Sequence, residues 1–153
     1  MELIRVTMDD AEELWKMQVE AFSELLERYQ DYDTNPANET IDRVRIRLEQ
    51  PSTYYYFIMS GGVKVGAIRV IDIHDGSRKR ISPIFIMKEH RGHGLAQEAI
   101  SAVEKIHGST HWQLDTILQE AGNCHLYEKM GYRRTGKSEV INERMTIVDY
   151  EKE

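Results

Sequence analysis

The sequence predicts an α+β fold: one mixed, mostly antiparallel sheet with one parallel strand pair and helices on both faces. Three observations predict it. Residues 54–59, 63–73 and 80–87 are rich in β-formers and are separated only by short segments that hold Gly61-Gly62 and Asp75-Gly76-Ser77. Such short turns join antiparallel neighbours, so these runs form a meander. Next, the apolar run Ile84, Phe85, Ile86, Met87 passes through a charged loop into a helical pattern, and a strand follows at residues 111–117. Strand, helix, strand at this spacing is a right-handed parallel crossover. Finally, two strands near residues 132–140 and 144–150 pair as a hairpin.

The elements follow in order. Leu3, Ile4, Arg5 and Val6 make a short first strand. Thr7 and Asp10 form a capping-box pair, with acidic residues in the turn that follows. Ala11, Leu14, Trp15, Phe22, Leu25, Leu26 and Tyr29 then recur at helical spacing, with one polar break at Gln18. The polar run DYDTNP ends that helix. Asn35 is placed to cap a second helix, with Pro36 at its first position. Ile41, Val44 and Leu48 give this helix a narrow apolar stripe, and Arg43, Arg45 and Arg47 a solvated face. Pro51 stops it. After the meander, Leu95, Ala99, Ile100, Val103 and Ile106 mark the crossover helix, which Gly108 ends. Asn123 opens a short helix to Met130, and Gly131 closes it. No repeat, low-complexity tract or linker divides the chain, so residues 1–153 read as one domain.

Length and charge narrow the function. A chain of 153 residues buries about 70% of its unfolded surface, enough for its own core. No stretch approaches the ~20 apolar residues that span a membrane. The start, MELIRVTMDD, lacks a basic segment followed by an apolar one, so no secretory signal is expected. The lone Cys124 excludes an internal disulfide, and together these features favour the cytoplasm. A net charge of −6 argues against nonspecific nucleic-acid binding and is compatible with a cationic partner. The six histidines show no metal spacing such as H-x-x-x-H on one helix, and no metal is expected.

The chemistry lies in ISPIFIMKEHRGHGLA, residues 81–96. A buried strand ends in a glycine-rich turn that starts a helix. Free N–H groups and the positive end of the helix dipole face that turn. Gly92 and Gly94 let a ligand approach the backbone, and Arg91 and His93 add donors at the rim. This suits a phosphate group; the plain alternative is a tight strand-to-helix turn. The dinucleotide fingerprint fails because Gln97 stands where its third Gly or Ala belongs, and no Gly-Lys-Ser/Thr marks a Walker loop. The stretch resembles instead the R-x-x-G-x-A/G signature of the GNAT superfamily of acetyl-CoA-dependent N-acetyltransferases, which Arg91, Gly94 and Ala96 match in order. The resemblance implies that backbone amides here hold the pyrophosphate of coenzyme A. The cofactor contacts it implies span Phe85, Ile86, Met87, Arg91, Gly92, His93, Gly94, Leu95 and Ala96.

A second constellation is LQEAGNCHLYEKMGYRR, residues 118–134. Asn123 and Tyr127 are four apart and share a helix face, while Leu126 and Met130 turn to the core. On their own, Asn123 reads as a cap and Tyr127 as a core residue. The pattern N-x-x-x-Y with E-K-x-G-Y is similar to the GNAT segment that closes over the pantetheine arm, which implies that Asn123 contacts the arm and that Tyr127 stands near the sulfur. The order of elements also matches that superfamily over essentially the whole chain, which implies a GNAT-type fold with a central splayed parallel strand pair. A bacterial subgroup that carries YQDYDTNPANE and LDTILQEAGNCHLYEKMGYRRTG is more similar still.

Acyl transfer to an amine needs a neutral amine, a stabilised oxyanion and a proton for the leaving thiolate. A tyrosine is protonated at neutral pH and can supply that proton. Backbone N–H groups along residues 84–87 are the oxyanion donors, and Pro83 has none to give. The base stays open among Asp115 and Glu120 near the reaction centre, Asp31, Asp33 and Glu39 in the helix–helix loop, and water. Cys124 and His125 are adjacent on a helix and so make a poor nucleophile–base pair. The function implied is direct acetyl transfer from acetyl-CoA to an amine, most simply a small molecule. A protein or peptide amine is the rival within the class, and a silent acyl-CoA-binding regulatory module the rival outside it. The expected partners are acetyl-CoA and an amine, with no nucleic acid and no membrane, for a monomer or homodimer.

Overall fold

The β-rich runs become a continuous sheet. A computed structural model describes residues 1–153. Strand β1 (Glu2–Arg5) pairs antiparallel with β2 (Thr53–Ser60), β2 with β3 (Val63–Ile71), and β3 with β4 (Lys79–Ile86). The crossover helix α3 (Leu95–His107) then delivers β5 (Trp112–Ile117) parallel to β4. The closing hairpin, β6 (Arg133–Asn142) and β7 (Met145–Lys152), places β7 beside β5, so the sheet order is β1-β2-β3-β4-β5-β7-β6.

Side chains alternate across the sheet, and each face carries its own helices. Tyr55 and Phe57 pack with Leu14 and Ala21 of α1 (Ala11–Tyr29) and Val44 of α2 (Ile41–Glu49). Tyr56 and Ile58 point the other way, against Ala99, Ile100 and Val103 of α3 and Tyr127 of α4 (Ala121–Lys129). Full burial of a side chain such as Leu14 or Ile100 contributes roughly 1.5–3 kcal/mol, so these two layers hold the helices in place. Gly66 sits opposite Ile86, where a Cβ would lie 2.1 Å from the Phe85 carbonyl oxygen. Only glycine allows β3 and β4 this close an approach.

Several local expectations change. Asn35 does accept a capping hydrogen bond, from Ala37 N–H at 2.7 Å, but it caps the single turn Pro36–Asn38. Glu39 and Thr40 are extended, and α2 begins only at Ile41. Arg47 is not solvated: it lies 2.6 Å from Glu39 at the α1–α2 junction. Gln18, the polar break in α1, is fully buried and donates to the Pro36 carbonyl at 2.9 Å. The polar residue therefore fixes the turn against the helix rather than interrupting the apolar face. Helix α4 starts at Ala121 with Glu120 in the capping position, so Asn123 is its third residue and not its cap.

The parallel pair β4–β5 is the feature that shapes the site. It joins only at Lys79 with Trp112 and Arg80 with Gln113. Beyond that point β4 stays with β3 as far as Ile86, and β5 stays with β7 as far as Ile117. The sheet opens into a V between them.

Candidate active site

The V exposes part of the β4 backbone. Antiparallel pairing alternates, and the Met87 N–H donates to the Val65 carbonyl at 2.7 Å. Phe85, two residues earlier and opposite Ala67, faces β3 in the same way. The N–H groups of Ile84 and Ile86 therefore face the gap that β5 leaves. The Ile86 carbonyl in that gap accepts from Arg91 Nε at 2.8 Å.

The turn before α3 has the geometry an anion needs. Gly92 and Gly94 have φ of +83° and +76°, and a Cβ on either would meet nothing within 4 Å. This is the left-handed region, where an L side chain is strained. Gly94 occupies the capping position of α3 and supplies no side chain there, so the first N–H groups of the helix are left for a ligand. Arg91 does not reach into this space as a free donor. Besides Ile86, its guanidinium donates to the Ala21 carbonyl at 3.0 Å and lies 3.8 Å from Glu24. It ties the turn to β4 and α1.

Two clefts meet at the V. One, of about 560 Å³, runs from the α3 turn between α1 and α4, and is lined by Phe85, Ile86, Arg91, Gly92, Gly94, Leu95, Ala96 and Glu120. The other, of about 380 Å³, lies between the loop after α1 and the β6–β7 hairpin, and is lined by Asp31, Arg80, Pro83, Asp115, Glu139 and Ile147, among others. Phe22, Leu25, Ile84, Asn123 and Tyr127 line both. Met87 and His93 line neither: Met87 is buried in the α1/α2 layer and His93 is exposed outside the turn. The helix register that pairs Asn123 with Tyr127 thus brings both to the junction. Phe22 and Leu25 have no distinguishing mark in the sequence. They lie on the apolar stripe of α1 like any core residue, and only the opening of the sheet turns them into cleft walls.

Tyr127 is 6% exposed. Its hydroxyl makes no hydrogen bond within the protein, yet it is not among the polar atoms sealed from solvent. It therefore opens onto the junction. Burial first, then the nearby Cys124 and Asp115, push its phenol well above the ordinary tyrosine range. The group stays protonated through and beyond neutral pH. Both carboxylates of interest are already engaged. Asp115 pairs with Arg80 at 2.7 Å. Glu120 accepts from Arg28 at 2.8 Å and from the Tyr29 hydroxyl. Cys124 is half-buried, with its sulfur 3.8 Å from the Ile117 carbonyl. No group of histidine, cysteine, aspartate and glutamate side chains is arranged to hold a metal ion.

This geometry can be set beside known proteins. The profile described as "Acetyltransferase (GNAT) family" matches residues 11–132. The chain belongs to the GNAT acetyltransferase family. No curated protein matches its sequence. Solved structures share the GNAT fold at low identity. A spermidine N-acetyltransferase from Vibrio cholerae, in complex with CoA and spermine, is 16% identical with a TM-score of 0.75, covering 97% of this chain and 92% of that one. An acetyltransferase from Thermus thermophilus is 17% identical with a TM-score of 0.72, over 97% and 94%. The PaiA N-acetyltransferase from Thermoplasma acidophilum, in complex with coenzyme A, is 16% identical with a TM-score of 0.66, over 99% and 98%. The opened β4–β5 pair and the glycine turn before α3 are this GNAT chain's own residues. An acetyl-CoA cosubstrate fits them: the turn offers unpaired N–H groups at a helix start, and no Cβ fills the space in front of them.

Proposed function

We propose that this GNAT protein transfers an acetyl group directly from acetyl-CoA to the amine of a small molecule. The observation that carries the reading is the meeting of two clefts at Ile84, Asn123 and Tyr127. The first cleft, with the turn from Arg91 to Ala96, takes acetyl-CoA. The second takes the acceptor, and its 380 Å³ falls in the range of small-molecule sites. The amine nitrogen attacks the thioester carbonyl, an N–C bond forms, and the C–S bond breaks. The N–H groups of Ile84 and Ile86 face the negative charge that develops on the carbonyl oxygen. Tyr127 gives its proton to the departing sulfur. The single proton the amine loses passes through water to solvent or to one of Asp115 and Glu120 at the cleft margins, and solvent returns a proton to Tyr127. We place this activity in the cytoplasm, in a monomer or homodimer that uses neither nucleic acid nor membrane; no helix is long and apolar enough to cross one.

A thiol-release assay over a panel of amines tests the reading. Acceleration above the amine-free rate is expected with at least one small amine. A protein that binds acetyl-CoA yet releases no extra thiol with any amine is a silent module instead.

Asn123→Ala separates binding from folding. Asn123 is exposed and is not the helix cap, so stability should change by about 0.5 kcal/mol or less, as for a surface site. If its side chain contacts the pantetheine arm, the KM for acetyl-CoA should rise about fivefold, the equivalent of one hydrogen bond. Thermal melts and initial-rate kinetics read the two effects, and an unchanged KM removes Asn123 from the cofactor site.

A further inference from the structure

One wall of the second cleft is fastened at a single point. The loop between α1 and α2, residues 30–40, contributes Asp31, Thr34, Asn35 and Pro36 to that cleft and nothing to the first. Most hydrogen bonds of these four residues are local. The Asn35 N–H donates to the Asp31 carbonyl at 3.2 Å, and the Asn38 N–H to the Asn35 carbonyl at 3.0 Å. Such bonds shape the turn without placing it on the protein. One hydrogen bond reaches the four residues from outside the loop: Gln18 Nε2 donates to the Pro36 carbonyl at 2.9 Å. Trp15 and Arg47 hold only Glu39, near the far end of the loop.

Helix α1 does not itself need a glutamine here. Gln18 is fully buried, between Leu14 and Ala21 of the apolar core. A buried amide destabilises unless its donors and acceptor are met. Its Nε2 also donates to Glu39 Oε1 at 3.3 Å, and its Oε1 accepts from the Tyr55 hydroxyl at 3.4 Å. Every partner lies off α1, so a methionine would serve the helix equally well. Phe22 and Leu25, four and seven residues further on, continue the same face into the cleft walls. Gln18 lines neither cleft, so its effect on a bound amine passes through Pro36.

We propose that Gln18 is a positioning residue for the acceptor amine: it anchors the Pro36 turn and so fixes the wall against which the amine is held. This deepens the acetyltransferase reading and rests on it for the identity of the substrate. The coenzyme side should be indifferent to the anchor, because its cleft borrows nothing from the loop. The two substrates are therefore governed by different parts of α1: Phe22 and Leu25 border both, and Gln18 serves the acceptor alone.

The test is Gln18→Met, which keeps the length of the side chain and removes its donors. With the best acceptor of a panel that includes cadaverine and tyramine, KM for the amine should rise about fivefold or more, the equivalent of one hydrogen bond. KM for acetyl-CoA and the amine-free release of thiol should stay within about twofold, as for independent sites. Amide hydrogen exchange supplies a readout that needs no acceptor. The N–H groups of Asn35 and Asn38 should exchange about fivefold or more faster in the variant, while those of α3 keep their wild-type rates. Gln18→His keeps a ring N–H donor and should fall between the two proteins; it carries the test if the Met variant fails to fold. A merely structural glutamine would move both Michaelis constants together, or neither, and either result overturns the proposal. So does unchanged exchange at Asn35 and Asn38. If no amine releases thiol from the wild type, the acetyltransferase reading has failed, while faster exchange confined to the turn still upholds Gln18 as its anchor.

Discussion

Tyr127→Phe should lower turnover by roughly 10²–10⁴, the usual contribution of a positioned acid. The substitution keeps the ring, which packs in the α3/α4 layer with Tyr132 and Tyr150. The hydroxyl it removes has no partner within the protein, so folding loses no hydrogen bond and the melting temperature should hold. KM for acetyl-CoA should change little, because the α3 turn is untouched. The pH profile adds a second readout. The protonated phenol is the competent form, and burial raises its pKa. The raised pKa extends the protonated form upward, so wild-type rates should rise as the amine loses its proton and show no falling limb from Tyr127 below about pH 10. The Phe variant should keep the rising limb at a much lower rate. Equal turnover in the two proteins, with chemistry rate-limiting, would return Tyr127 to a packing role.

Gly94→Val should weaken acetyl-CoA binding by about tenfold or more, which is about 1.4 kcal/mol per decade. Two effects add. A β-branched residue at φ +76° is strained by roughly 1–2 kcal/mol, and its side chain enters the open space in front of the helix N–H groups. No protein atom lies within 4 Å of the added Cβ, so the fold has no clash to relieve. Gly61→Val is the matching control. It carries a positive φ and equally open space, in a hairpin turn that lines neither cleft. Calorimetry should show lost affinity for Gly94→Val and wild-type affinity for the control. Retained affinity in a folded Gly94→Val protein would detach the phosphate from this turn.

Much of the frame was legible because periodicity and turn chemistry act locally. The meander, the crossover and the glycine turn all follow from residues within a few positions of one another. Departures came where a distant partner decided. Asn35 does cap, but the Gln18 contact to Pro36 holds a single turn there, and α2 starts five residues later than the proline suggests. Arg91 belongs to a motif that implies a phosphate contact, yet two backbone carbonyls, one of them on α1, take its guanidinium. Arg47 looked like one of three solvated arginines until the fold brought Glu39 to it. The second cleft was the least legible, because four segments far apart in sequence build it.

The two clefts share one wall and differ in their other walls. If the proposed transfer is right, a spent donor and an acetylated product have separate clefts to leave by. Free coenzyme A should compete with acetyl-CoA for the glycine turn, yet act as a noncompetitive inhibitor toward the amine. Initial-rate lines for the two substrates should intersect, as they do when both must be present before anything departs. An enzyme of this design is throttled by the ratio of acetylated to free coenzyme in its surroundings, whatever the supply of acceptor.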